Sequence, residues 1–288
     1  MMHGAKREGI RMSRETVDLG ELSGPILLFG GPYSNLRATQ ALMAEAARRS
    51  IPADRMICTG DVCAYAAEAE ETAQAVRALG CPVVAGNCED SLGFNALDCG
   101  CGFEEGATCD RLSAEWFAHA TQQVSEETRA WMRGLPGQAI FSHAGKRYVV
   151  VHGGAEQINA FIWPTDSVER KAKEVRLLEA ALGRIDAVVC GHSGVPFVEN
   201  VGAHEWINAG AIGLPGHDGD PRTSFAVLEN GEVELHRLRY DNVGAAAAME
   251  QVGLTAGYHE TLRSGWWPSE DTFPPEMRRG VTSNAFVG

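Results

Sequence analysis

Nowhere in the 288 residues is there an apolar run of about 18 or more, the length a membrane-spanning helix needs. The first 21 residues, Met1 to Glu21, lack the apolar centre of a secretory signal. This predicts a flexible arm over 1–23, with a later start at Met12 as an option, and a cytoplasmic location. Positive charge is also short. Lys and Arg number 25 against 38 Asp and Glu, so the formal charge is −13. Such a surface repels polyanions, which argues against long nucleic acid as a partner. A small anionic substrate stays open, because a metal or a helix N-terminus reverses the field locally. Neither internal repeats nor low-complexity stretches occur, which excludes solenoids and arrays.

At 44% hydrophobic the chain has material for a sizeable core. Eight cysteines without a secretory signal point to reduced thiols rather than a disulfide scaffold. Cys58, Cys81 and Cys190 fall in or beside apolar strands and read as small core residues. Cys99, Cys101 and Cys109 belong to a Gly-rich irregular stretch. Three cysteines do not complete a standard zinc site, so buried free thiols are the simpler reading and a thiolate site the sharper one.

The informative pattern is an apolar run that stops at Gly plus a ligand-type side chain. It occurs as Ile57-Cys58-Thr59-Gly60-Asp61 and again as Val83-Val84-Ala85-Gly86-Asn87, with a helix predicted between them from Glu68 to Leu79. Run, helix, run is a βαβ unit whose two strands lie parallel. Their C-terminal ends then share the edge where open α/β sheets bind ligands, so Asp61 and Asn87 are expected in one cleft. Tyr148 to Val151 ends in His152-Gly153, and Ala187 to Cys190 in Gly191-His192. One carboxylate, one amide oxygen and two imidazoles suit one divalent transition metal, Mn, Fe or Zn, better than Ca or Mg.

Around this frame, Pro25 to Phe29 reads as the first strand and Leu36 to Arg49 as a helix capped by Asn35 or Ser34. The Gly30-Gly31-Pro32-Tyr33-Ser34-Asn35 turn between them is a candidate anion cradle. Helices are expected over Ser113–Ala120, Ser125–Arg133 and Glu169–Leu182, and a hairpin around Ala144-Gly145-Lys146. Asn230-Gly231 marks a second hairpin between Ser224–Leu228 and Val233–Leu238. Residues 242–288, with two short helices, Trp266, Trp267 and several prolines, read as a strap over a domain spanning 24–241.

The ordered set resembles the calcineurin-like metallophosphoesterase superfamily, and most of all its smaller bacterial, phosphodiesterase-like branch. Gly60-Asp61, Gly86-Asn87-Cys88-Glu89, His152-Gly153 and Gly191-His192 stand where that family has Gly-Asp, Gly-Asn-His-Asp/Glu, His-Gly and the first half of Gly-His-x-His. Asn208-Ala209-Gly210-Ala211 resembles its Asn-Pro-Gly-Ser turn. The resemblance implies an α/β fold, a two-sheet α/β/β/α sandwich. It implies metal ligation by Asp61, Asn87, His152 and His192.

The departures are as specific. The family's opening Asp-x-His falls on Gly31 and Tyr33, and the last His of Gly-His-x-His on Gly194. These three serve one of the family's two metals, so the resemblance implies a mononuclear centre, or a second metal held by new ligands such as His217, Asp218 or Cys88. Cys88 takes the place of the leaving-group acid. Tyr33, Gly30, Gly31, Ser34, Asn35 and Arg222 become candidates for holding substrate. The implied activity is metal-dependent phosphoester hydrolysis, phosphodiesters first. The alternatives are a same-fold enzyme acting on another bond, or a non-catalytic metal- or anion-binding relative.

Overall fold

The structure, a computed structural model, describes residues 14–104 and 106–279. In chain order the elements begin with β1 (Thr16–Glu21), β2 (Ile26–Phe29), α1 (Leu36–Arg48), β3 (Met56–Cys58), α2 (Ala69–Leu79) and α3 (Asn87–Gly93). Next come α4 (Thr108–Gln123), α5 (Glu126–Gly134), β4 (Gln138–His143), β5 (Lys146–Val151), α6 (Val168–Leu182) and β6 (Ala187–Cys190). The last are β7 (Phe197–Val201), β8 (His204–Asn208), β9 (Thr223–Glu229), β10 (Glu232–Leu238), α7 (Asn242–Gln251) and α8 (Tyr258–Ser264). No helix among the described residues is long and apolar enough to cross a membrane.

Two sheets stack face to face. One has six strands in the order β1-β4-β5-β6-β8-β7, the other four in the order β10-β9-β2-β3. The period-2 alternation of side chains explains the layering. In β2, Ile26 and Leu28 enter the core between the sheets, while Leu27 and Phe29 face α1 and α2. In β5, Tyr148 and Val150 face the same inter-sheet core, while Val149 and Val151 pack against Val175 and Leu178 of α6. Strands buried on both faces read as unbroken apolar runs, as β2, β5 and β6 do. The result is the α/β/β/α sandwich.

Local signals account for most boundaries. Asn35 caps α1 by accepting from the Ala38 N–H, and Ser125 caps α5 by accepting from the Thr128 N–H. Asn230 and Gly231 both take positive φ, 54° and 82°, as a two-residue hairpin turn requires. The Val83 stretch joins β3 only as a parallel bridge between Cys58 and Val83, not as a full strand.

The expected flexible arm is corrected in part. Residues 16–21 form β1, paired in parallel with β4, with Val17 and Leu19 packed against the inter-sheet core. Apolar residues alternating with exposed polar ones give an edge strand its one-sided anchor. Residues 1–13 of that arm, and 280–288 of the strap, lie outside the described residues. Met249, Tyr258, Leu262, Trp267 and Phe273 share the core cluster of β2, α1 and α2.

Candidate metal centre

Four strand-end residues meet where the C-terminal edges of the two sheets face each other. Asp61 follows β3, Asn87 opens α3, His152 follows β5 and His192 follows β6. Their exposures are 4, 2, 2 and 7%. His152 Nε2 lies 3.1 Å from Asn87 Oδ1, 3.1 Å from His192 Nδ1 and 3.2 Å from Asp61 Oδ2. His192 Nδ1 is 4.0 Å from Asp61 Oδ2. Asp61 and His192 both adopt left-handed backbone, φ 56° and 58°, a costly conformation for residues with side chains. Space is equally tight. A Cβ on Gly86 would stand 2.2 Å from Asp61 Oδ1 and 2.8 Å from His152 Cε1, so only glycine lets the second loop approach the first.

The protonation logic favours a cation. His152 Nδ1 lies 2.6 Å from the Thr59 carbonyl, which only accepts, so Nδ1 carries a proton. In neutral His152 the Nε2 lone pair then faces a carboxylate, an amide oxygen and a second imidazole nitrogen. One proton on Nε2 cannot serve all three; a metal ion can. The electrostatics agree. Burial opposes charge on His152, but Asp61 beside it and the Thr59 carbonyl outweigh this and raise its pKa. Burial also opposes the Asp61 charge, yet His152 and His192 hold its pKa down to about 2. Burial, then the His152 charge, push His192 down to about 3, so it stays neutral with a lone pair to offer.

Glu89, which stands in the motif but was given no role from sequence, ties the site together. Its buried carboxylate accepts from the N–H groups of Asp61 (2.7 Å), Val62 (2.8 Å) and Gly86 (2.8 Å), joining the Asp61 loop to the Asn87 loop. Asn208 does the same for the His192 loop, donating to the Gly191 carbonyl and to Ser193 Oγ. The bond from Gly86, three residues back, is half of a local capping box at the start of α3, but the chain-distant N–H groups of Asp61 and Val62 leave no local sequence signal.

Other candidates are placed differently. The anion cradle is corrected. Gly31, Tyr33 and Ser34 donate their N–H groups to the Gly60, Asp61 and Val62 carbonyls, and Asn35 donates to Pro32. The Asn35 side chain caps α1 and bonds Gly213, and Gly30 is buried in the same turn. Ser34 Oγ is buried without a partner. The backbone N–H groups of Gly31, Tyr33 and Ser34 are spent on holding the 60–62 loop, which leaves them unavailable to substrate. Arg222 turns back on Asp220, with Nε 2.9 Å from its Oδ2. His217 is also not a spare ligand: its Nδ1 accepts from the Trp267 N–H and its Nε2 donates to Glu270, both at 2.9 Å. Asp218 pairs with Arg237.

Cys88 adjoins the site through its N–H, which donates to Asp61 Oδ1 at 3.1 Å. Burial, then the neighbouring Asp61 and Glu89 carboxylates, push its thiol pKa well up, so it stays neutral. Tyr33 is buried, and its phenol is raised well above its usual value by burial and then Asp61. A Cβ on Gly31 would lie 2.5 Å from the Tyr33 ring and 2.9 Å from the Ala211 methyl. A Cβ on Gly194 would lie 3.4 Å from the Trp267 ring and 3.6 Å from the Tyr33 hydroxyl. Aromatic side chains thus occupy the ground in front of both glycines. The all-thiol expectation is corrected too: Cys99 and Cys101 form a disulfide, while Cys109 is a free buried thiol in α4.

Known proteins share this fold. The profile of the calcineurin-like phosphoesterase superfamily domain matches residues 34–232, a span that holds all four converging residues and begins just beyond the Gly31–Tyr33 turn. An uncharacterized protein of Methanocaldococcus jannaschii is 24% identical over 229 residues, covering 73% of this chain and 85% of that protein. A metallophosphoesterase from Sphaerobacter thermophilus superposes with a TM-score of 0.66 at 24% identity, covering 85% of this chain and all of that one. A hypothetical protein from Pyrococcus horikoshii OT3 superposes with a TM-score of 0.69 at 13% identity, covering 85% and 98%. With a domain match over most of its length and the same two-sheet architecture, the chain belongs to the calcineurin-like phosphoesterase superfamily.

Proposed function

We propose that the chain is a metal-dependent phosphoester hydrolase with a single-ion centre, acting on phosphodiesters before monoesters. The observation that carries this is the convergence of Asp61, Asn87, His152 and His192 lone pairs with the His152 proton committed to Thr59. Asp61, Asn87, His152 and His192 would hold a divalent transition metal, which would supply Lewis-acid chemistry to a phosphoester and its attacking water. The protein's own part is to hold four donors in place, keep Asp61 ionised and His192 neutral, and exclude bulk water by burial.

Family members that use two ions place ligands where Gly31, Tyr33 and Gly194 stand here. In this chain a Tyr33 ring and the Trp267 edge fill that ground, which supports one ion rather than two. A lone cation neutralises less charge, so a singly charged diester is favoured over a doubly charged monoester. Cys88, a neutral thiol of high pKa, is a poor acid for an alkoxide leaving group. Activated aryl leaving groups need no such help. The test is metal-loaded wild type on a nitrophenyl phosphodiester and the matching monoester, with His152→Ala as blank. The diester should turn over faster. No turnover above the blank on either ester would reject the hydrolase reading.

A further inference from the structure

The Cys99–Cys101 disulfide plays no part in that chemistry, yet it sits against one of the four ligand residues. The Cys99 carbonyl accepts from Asn87 Nδ2 at 2.9 Å, and Cys101 Sγ lies 3.4 Å from the same nitrogen. A carbonyl only accepts, so it fixes the amide with its nitrogen outward and Oδ1 turned toward His152. Left to rotate, the Asn87 amide would present a hydrogen-bond donor to the centre as readily as an oxygen.

The turn is seated rather than loose. A Cβ on Gly100 would stand 2.9 Å from Ser91 Oγ, so the turn lies flush on α3. The Gly100 carbonyl accepts from Asn159 Nδ2 at 2.9 Å. On the far side, the Cys101 backbone interacts with the His192 ring and works against the fall in its pKa. The sulfurs themselves are buried, but the residues leading into the turn, 94–98, are exposed, as is Gly102. The six other cysteines are free and buried. The one disulfide among the described residues is therefore joined through the Cys99 carbonyl to Asn87.

We propose that the Cys99–Cys101 pair is a thiol-responsive clamp on the metal centre. Closed, it presets Asn87 Oδ1 for the ion; opened, it releases the turn and weakens metal binding. This rests on Asp61, Asn87, His152 and His192 being the ion's ligands. Opening requires a dithiol reductant, small or protein-borne. Its thiolate attacks one sulfur, the Cys99–Cys101 bond breaks and a mixed disulfide forms. The reductant's second thiolate then displaces the remaining protein sulfur. Two electrons and two protons end on the protein thiols, and the reductant leaves as its disulfide. Closure is the same exchange in reverse with a disulfide-bearing partner.

The test is a cobalt(II) titration of the full chain, read from the visible absorption of the bound ion. Oxidised protein is compared with protein reduced by the phosphine TCEP and desalted. TCEP leaves as its oxide, with water supplying the oxygen and both protons. Alkylation in denaturant should count six thiols in the first sample and eight in the second. The cobalt Kd should weaken roughly ten-fold on reduction, the scale on which supporting contacts to metal ligands act. The C99S/C101S variant should show the weaker Kd whether or not TCEP is added. Cys109→Ser should respond as wild type does. Equal affinities before and after reduction would overturn the clamp, as would eight thiols in protein treated with an excess of disulfide. A new thiolate-to-cobalt band on reduction would also overturn it, making Cys101 a ligand instead. Absence of cobalt binding in every sample would overturn the metal reading, and the clamp with it.

Discussion

At the scale of single residues, His152 governs the centre because its proton inventory is fixed by its neighbours. Thr59 takes the Nδ1 proton, and Asp61 with Thr59 raises the pKa against the opposing effect of burial. Below that raised pKa, Nε2 of the metal-free protein carries a proton that an incoming ion must displace. Asp61, held at about 2, and His192, at about 3, release nothing above pH 4. Metal affinity should therefore rise by about ten-fold per pH unit, one proton per ion, and level off above the His152 pKa. A titration of cobalt affinity from pH 5 to pH 8 reads the slope directly; a flat or two-proton slope would contradict the assignment. Glu89 acts through structure. In Glu89→Gln an amide NH2 replaces one acceptor oxygen and faces a backbone N–H, leaving a buried donor unpaired. Loss of about 1–3 kcal/mol in urea unfolding is expected, together with weaker metal binding, since both ligand-bearing loops depend on that carboxylate.

At the scale of elements, the parallel βαβ logic was legible because buried strands and an amphipathic helix each leave a periodic signature. The helices at 36–48, 69–79, 126–134 and 168–182 and both hairpins follow from caps, periodicity and Asn-Gly. β1 escaped because a short edge strand with a charged outer face resembles a polar tail. The Gly30–Asn35 turn misled for a physical reason. Glycine-rich turns before helices can offer N–H groups, but only the tertiary partner reveals that the 60–62 carbonyls consume them. The C-terminal segment shows in sequence as aromatic- and proline-rich, but its latch leaves no such signal. His217 accepts from the Trp267 N–H and donates to Glu270, pairings across about fifty residues that no local pattern encodes. His217→Ala should cost about 1–3 kcal/mol and speed hydrogen exchange at the Trp267 amide. It should leave the metal content unchanged, which a ligand role for His217 would not allow.

At the scale of the whole molecule, two sheets with different strand orders bring four separate chain segments to one point. The chain carries a formal charge of −13, and its centre gathers lone pairs of Asp61, Asn87, His152 and His192 that a metal cation would reconcile. The central claim is a count: four ligands, one ion. The most direct measurement is metal per chain by mass spectrometry of elements, after loading with Mn, Fe or Zn and gel filtration. Wild type should hold close to one ion per chain, and Asp61→Ala and His192→Ala close to none while keeping wild-type circular dichroism. No retained metal in folded wild type, or two tightly held ions per chain, would contradict the account.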